Sequence, residues 1–122
     1  MSKKHKKRRR RVKKPYLGKN RHHLLFQGRN WNYGKAKILK KSFVYLLDVK
    51  IHDELHNAII SNIPKPSPEG ISRIYKAFQN ERDEIARLDI IGASEWLTEA
   101  CDEEPYHTTM QLQTLFLQER LK

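Results

Sequence analysis

A chain of 122 residues is enough for one small domain with a tail and too short for two sizeable cores. Its formal charge is +11, but 17 of the 25 basic residues and none of the 14 acidic ones fall in residues 1–41, leaving residues 42–122 net acidic. Cys101 is the single cysteine, which excludes an intramolecular disulfide and a multi-cysteine zinc site, and no apolar run reaches the roughly 18 residues of a membrane span.

Residues 1–16 form a low-complexity basic tail predicted to be disordered, because it has no apolar surface to offset the entropy of ordering. Lys3, Lys4, Arg8, Arg9, Arg10 and Arg11 lie in it with only Val12 as an apolar neighbour, so a membrane-surface helix and a signal-peptide core are both disfavoured. A block of this charge seeks a polyanion, and nucleic acid is the expected one, DNA before RNA. Arg21, Arg29, Lys35, Lys37, Lys40 and Lys41 extend the basic surface into the folded part. The expected compartment is the cytoplasm, nucleoid-associated in a bacterium or host cytoplasm for a phage-encoded chain; a eukaryotic chain would be nuclear.

Arg21-His22-His23-Leu24-Leu25-Phe26 has strand-like bulk, and Gly28 and Gly34 bracket a polar turn holding Asn30 and Asn32. Ala36 to Lys41 suits a short basic helical turn. Ser42 to Leu47 is the best strand by aromatic and β-branched content. Asp48 then reads as the N-cap of a helix running to about Asn62, with Ile51, Leu55, Ala58 and Ile59 on its apolar side. Pro64, Pro66 and Pro68 predict a stiff linker over 63–68. Beyond it, Ile71, Ile74, Tyr75, Phe78, Ile85 and Leu88 recur at helical spacing and predict a helix of about five turns, broken at Gly92. A shorter helix over Ser94–Cys101 follows, anchored by Trp96 and Leu97. Pro105 opens a last helix with Met110, Thr114, Leu117 and Leu121 on one stripe. The predicted fold is α+β, with a two-stranded and helical unit over 17–62 and an all-α appendage over 69–122. The appendage has no chemistry of its own in the sequence; its acidity suits packing on the first unit or a protein partner.

Four of the six histidines form a pattern. His52 and His56 are four apart on a predicted helix, so they project one turn apart from one face and suit a shared metal. His22 and His23 are adjacent on a predicted strand, so their rings go to different sides. One of that pair can join the metal while the other faces a substrate. His5 and His107 are expected to face solvent.

The order His22-His23, strand, then His52-x-x-x-His56 on a helix resembles the ββα-metal fold of HNH nucleases. It is closest to the histidine-rich subtype of bacteriocin DNases and to small HNH-like proteins of phages and bacteria. The resemblance spans about residues 17–62 and includes Asn20, Arg21, Trp31 and Gly34. It implies that His22, His52 and His56 hold one divalent ion (Zn, Mg, Mn or Ni) and that His23 is the general base. It further implies that Arg21 grips a neighbouring phosphate, so that the chain is a metal-dependent endonuclease. The family's middle asparagine falls near Phe43 here, and Arg21 stands where an acidic residue is usual near the paired histidines. A non-catalytic nucleic-acid-binding protein on the same fold is the alternative, and an RNA- or ribosome-associated protein with a basic tail is a third reading.

The tail carries ten of the 17 basic residues of the N-terminal block. Deleting residues 1–14 is expected to weaken nucleic-acid affinity by orders of magnitude at low salt and to flatten the salt dependence, because fewer counterions are released on binding. Titration of a fluorescent duplex across a salt series measures this, and unchanged affinity at low salt would exclude the tail as the electrostatic anchor.

Overall fold

The fold was obtained as a computed structural model that describes residues 18–25, 34–60 and 66–122. Within them lie a two-stranded antiparallel ribbon and six helices. These are β1 (Lys19–His23), α1 (Gly34–Ser42), β2 (Val44–Asp48), α2 (Val49–Leu55), α3 (Pro68–Asn80), α4 (Arg82–Ile85), α5 (Ile90–Ala100) and α6 (Tyr106–Leu121). The helix α2 continues without a break into a π-helical turn over His56–Ile60. The predicted α+β class is borne out at this level. The basic tail, Arg29 and the Gly28–Tyr33 part of the predicted turn lie outside the described residues.

The ribbon pairs Lys19 with Asp48, Asn20 with Leu47, Arg21 with Leu46, His22 with Tyr45 and His23 with Val44. Alternation along β1 puts Asn20 and His22 on the face shared with buried Leu47. Arg21 and His23 go to the other face, beside Leu46, which is exposed. Gly18 enters β1 at φ +84, in the left-handed region that a glycine adopts without strain, and its carbonyl accepts from the Val49 amide at 3.4 Å.

The strand is displaced from its predicted place: it begins at Lys19 and ends at His23 rather than running from Arg21 to Phe26. Leu24 and Leu25 are both fully buried, which a strand with one solvated face does not allow for neighbours, and the chain bends there. Between the strands, α1 is a nine-residue helix that buries Leu39 and packs against α3, while Lys35, Lys37, Lys40 and Lys41 stay exposed.

Asp48 caps α2 as expected, its carboxylate accepting from the Lys50 amide at 3.0 Å. Leu55 is buried and Ile51 and Ile59 are partly covered, but Ala58 is exposed. The wider π turn that starts at His56 rotates the following positions relative to an α-helical stripe, which moves Ala58 off the apolar side.

The predicted five-turn helix is two pieces, α3 and α4, separated at Glu81 (φ −123, ψ 23). Glu81 accepts a hydrogen bond from the Trp96 indole at 3.0 Å, tying the break to α5. Gly92 is not a breaker. It lies in the first turn of α5, where its amide donates to the Asp89 carboxylate at 2.8 Å, so the interruption falls earlier, at residues 86–89. Pro68 is the first residue of α3 rather than linker, with Ser67 as its cap, while the predicted helix end near Asn62 and the linker residue Pro64 lie outside the described residues. Met110, Thr114 and Leu117 of α6 are buried as predicted, and Leu121 is exposed.

One buried cluster joins Leu24, Leu39, Phe43 and Leu55 to Ile71, Ile74, Leu97, Met110 and Leu117. The α6 helix packs on α5, on α2 and on the π turn. Phe43 sits at the centre, stacked on Trp96 at 5.7 Å and tilted against Phe78 at 5.8 Å. No helix among the described residues is long and apolar enough to cross a membrane. Replacing Phe43 with alanine is expected to destabilise the fold by about 3–5 kcal/mol, because a fully buried ring leaves a cavity between two aromatic partners. Urea unfolding measures the loss, and an unchanged slope with a lower midpoint would assign it to the native core.

Candidate metal centre

The ribbon and α2 bring three imidazoles together. His22 projects from the inner face of β1 and is 1% exposed; His52 lies on α2 and His56 one turn on, at the first residue of the π turn. Ring centroids are 4.4 Å apart for His52 and His56, 5.0 Å for His22 and His52, and 5.6 Å for His22 and His56. One nitrogen from each ring lies within 4.8 Å of the other two. A tetrahedral ion with bonds of about 2.0–2.1 Å holds its nitrogens roughly 3.4 Å apart, so modest side-chain rotations would close the set around one ion. Burial is graded from His22 through half-buried His52 to exposed His56, which places the protein on one side of the site and solvent on the other. An open outer position is what distinguishes a reactive metal site from a closed structural one.

Two carboxamides hold these rings. Gln113 of α6 accepts from His22 Nε2 through Oε1 at 2.7 Å, and its own NH₂ group donates to the Leu24 carbonyl at 3.2 Å. The Asn20 amide lies 3.2 Å from His52 Nδ1. An acceptor such as Gln113 Oε1 orients a ligating imidazole and fixes its tautomer; Asn20 does the same for His52 with its amide turned so that Oδ1 accepts from Nδ1–H. Neither residue belongs to the histidine pattern in the sequence. Asn20 carries a faint signal, two positions before His22 on the same strand face. Gln113 carries none beyond being a polar residue in an apolar stripe.

The rings are held in the neutral form that a metal needs. Burial lowers the His22 pKa to about 4, the Gln113 hydrogen bond partly opposes that, and the His52 and His56 charges add to the lowering. The His52 pKa is lowered by burial and then by His56, with Asp53 opposing; that of His56 is lowered by burial, again opposed by Asp53.

His23 stands on the other side of the strand. Burial lowers its pKa, and the cations Lys40 and Arg21 lower it further. Among the described residues, these two of the predicted nucleic-acid contacts act on His23 through their charge. Of the others on α1, Lys35 lies over the Tyr75 ring at 5.9 Å, and Lys37 and Lys41 point to solvent. Lys3, Lys4, Arg8, Arg9, Arg10, Arg11 and Arg29 lie outside the described residues, as does His5. His107 is half-buried rather than solvent-facing, with Nδ1 at 2.6 Å from the Cys101 carbonyl. Where the resemblance to HNH nucleases places an asparagine, Phe43 is wholly committed to the core. Comparison with protein-family models, with curated proteins and with solved structures returned no match.

The buried imidazole makes the metal-free protein acid-sensitive. The His22 pKa is lower folded than unfolded, so its contribution is present in full above pH 6.5 and is lost as the pH falls from 6.5 toward 4. The expected loss from this ring is on the order of 3 kcal/mol, and the lowered His23, His52 and His56 act in the same direction. Denaturant unfolding in excess chelator at about pH 7.5 and about pH 4.5 measures it. His22→Asn should show a shallower pH dependence than wild type.

Proposed function

We propose that this chain is a metal-dependent endonuclease of the HNH type that hydrolyses phosphodiester bonds in nucleic acid, with DNA the favoured substrate. The observation that carries this reading is the division at one peptide bond. His22 meets His52 and His56 on one face of β1, while His23 sits on the other face in a cationic setting made by Lys40 and Arg21. A divalent ion held by the three imidazoles would supply Lewis-acid charge offset to a phosphodiester.

The remaining chemistry falls to the chain's own groups. A neutral imidazole at His23 takes the proton from the attacking water as its oxygen bonds to phosphorus and the bond to the leaving oxygen breaks. Its lowered pKa favours the neutral, proton-accepting form near pH 7. Arg21 and Lys40 attract the phosphate and retain it beside the base, Arg21 with a planar fork suited to two phosphate oxygens. The exposed lysines of α1 continue the same charge outward along the duplex, contributing affinity without sequence preference.

A second reading, a binding protein without catalysis, is favoured by one observation. The charged neighbours that act on His23 are both cations, so they suit a phosphate but do not orient a base as a carboxylate would.

Plasmid nicking after chelation, with Mg²⁺, Mn²⁺, Ni²⁺ or Zn²⁺ added back, separates the two. His23→Ala is expected to keep metal, fold and DNA binding while cleavage drops about 10²–10⁴-fold. His22→Ala should lose metal and cleavage together. A wild type that cleaves neither DNA nor RNA with any of the four ions would leave the binding reading, and cleavage surviving in His23→Ala would assign the base elsewhere.

A further inference from the structure

We infer that Gln113 of the C-terminal helix is a positioning residue for the metal centre, and that it makes Nδ1 the ligating nitrogen of His22. The inference rests on the metal reading of His22, His52 and His56 and adds to it a residue 91 positions from its partner.

The hydrogen-bond chemistry leaves little choice of tautomer. The Gln113 side chain is fully buried and meets two groups at once. Its Nε2 faces the Leu24 carbonyl at 3.2 Å, and a carbonyl only accepts, so that end of the amide must be the NH₂ group. Turning the amide over would set two acceptor oxygens against each other in a buried site. The other end is therefore the oxygen, and it lies 2.7 Å from His22 Nε2. An oxygen acceptor at that distance requires a hydrogen on Nε2. In a neutral imidazole the lone pair then sits on Nδ1, and a ring nitrogen that carries hydrogen does not bind a metal.

The anchorage of Gln113 gives this orientation its stiffness. Met110 and Leu117 flank it on the buried side of α6, and Thr114 next to it is hydrogen-bonded to Ser94 at 2.6 Å. Leu24 lies two residues after His22, so one amide grips the ring of the ligand and the backbone that carries it. The helices after the proline-rich stretch thus complete a centre whose three imidazoles all come from before it. Arg120, two turns further along α6, pairs with Glu54 of α2 and draws the same helix toward the element that carries His52.

Zinc binding to the full-length protein tests this without reference to cleavage. In the wild type loaded with Zn²⁺, two-bond ¹H–¹⁵N spectra of the histidine rings should show His22 protonated at Nε2 and perturbed by metal at Nδ1. Competition against a chromophoric chelator should show Gln113→Leu, which keeps volume and removes the acceptor, binding zinc roughly 10–100-fold more weakly. Zinc on His22 Nε2, or equal affinity in Gln113→Leu, would overturn the role given to Gln113. Should Gln113→Leu fail to fold, the wild-type ring spectra still decide. A wild type that binds no zinc would overturn the metal reading itself, a result distinct from either of those.

Discussion

Placing an imidazole where it is 1% exposed requires a hydrogen-bonding partner inside the protein, and for His22 that partner is Gln113. A buried polar group left unsatisfied costs about 1–3 kcal/mol, a large share of what a domain this small can spare. The requirement constrains much of the molecule. Because Gln113 also holds the Leu24 carbonyl, α6 must lie against the end of β1. Because Met110 and Leu117 share its helix face, the same placement closes the core around Leu55 and Leu97. The polar contact and the apolar packing therefore specify one position of α6.

The two faces of β1 divide the chemistry. Its inner side joins His22 and Asn20 to α2, where the imidazoles crowd one another and burial keeps them neutral. Its outer side carries Arg21 and His23 toward the lysines of α1. Period-two alternation alone separates a cluster of imidazoles from a cationic surface across one peptide bond. The change to π-helix at His56, one turn after His52, also falls at this site. Such departures from α geometry are frequent where function dictates the direction of a side chain.

Electrostatic and apolar contributions are segregated along the chain. Cations concentrate before residue 42, whereas among the described residues the buried aromatic and aliphatic groups come mostly from Phe43 onward. Phe43 marks the transition: it follows the lysines of α1 and packs against Trp96 and Phe78, stacked on the first and tilted against the second. Its burial against Phe78 and Trp96 fixes the end of α1 against α3 and α5.

The sequence alone determined what depends on composition and local spacing. The basic character of the first 41 residues, the Asp48 cap and the pairing of His52 with His56 were legible, because charge, capping and helical period act over a few residues. The amphipathic stripe from Ile71 to Phe78 was legible for the same reason. Local signals misplaced the breaks: Gly92 looked like a terminator, but the Asp89 carboxylate caps its amide within the first turn of α5. They also overextended the first strand, since Leu24 and Leu25 have strand propensity and yet both are needed in the core. Strand alternation left open which of His22 and His23 turns inward, and only the resemblance named His22; the tertiary structure turns His22 inward because the helices cover that face of the ribbon. Only it decided that position 43 belongs to the core and that Gln113 belongs to the histidine centre. A hydrogen bond spanning 91 residues leaves no period and no motif; it exists because α6 packs where the apolar groups of all the helices can be buried together.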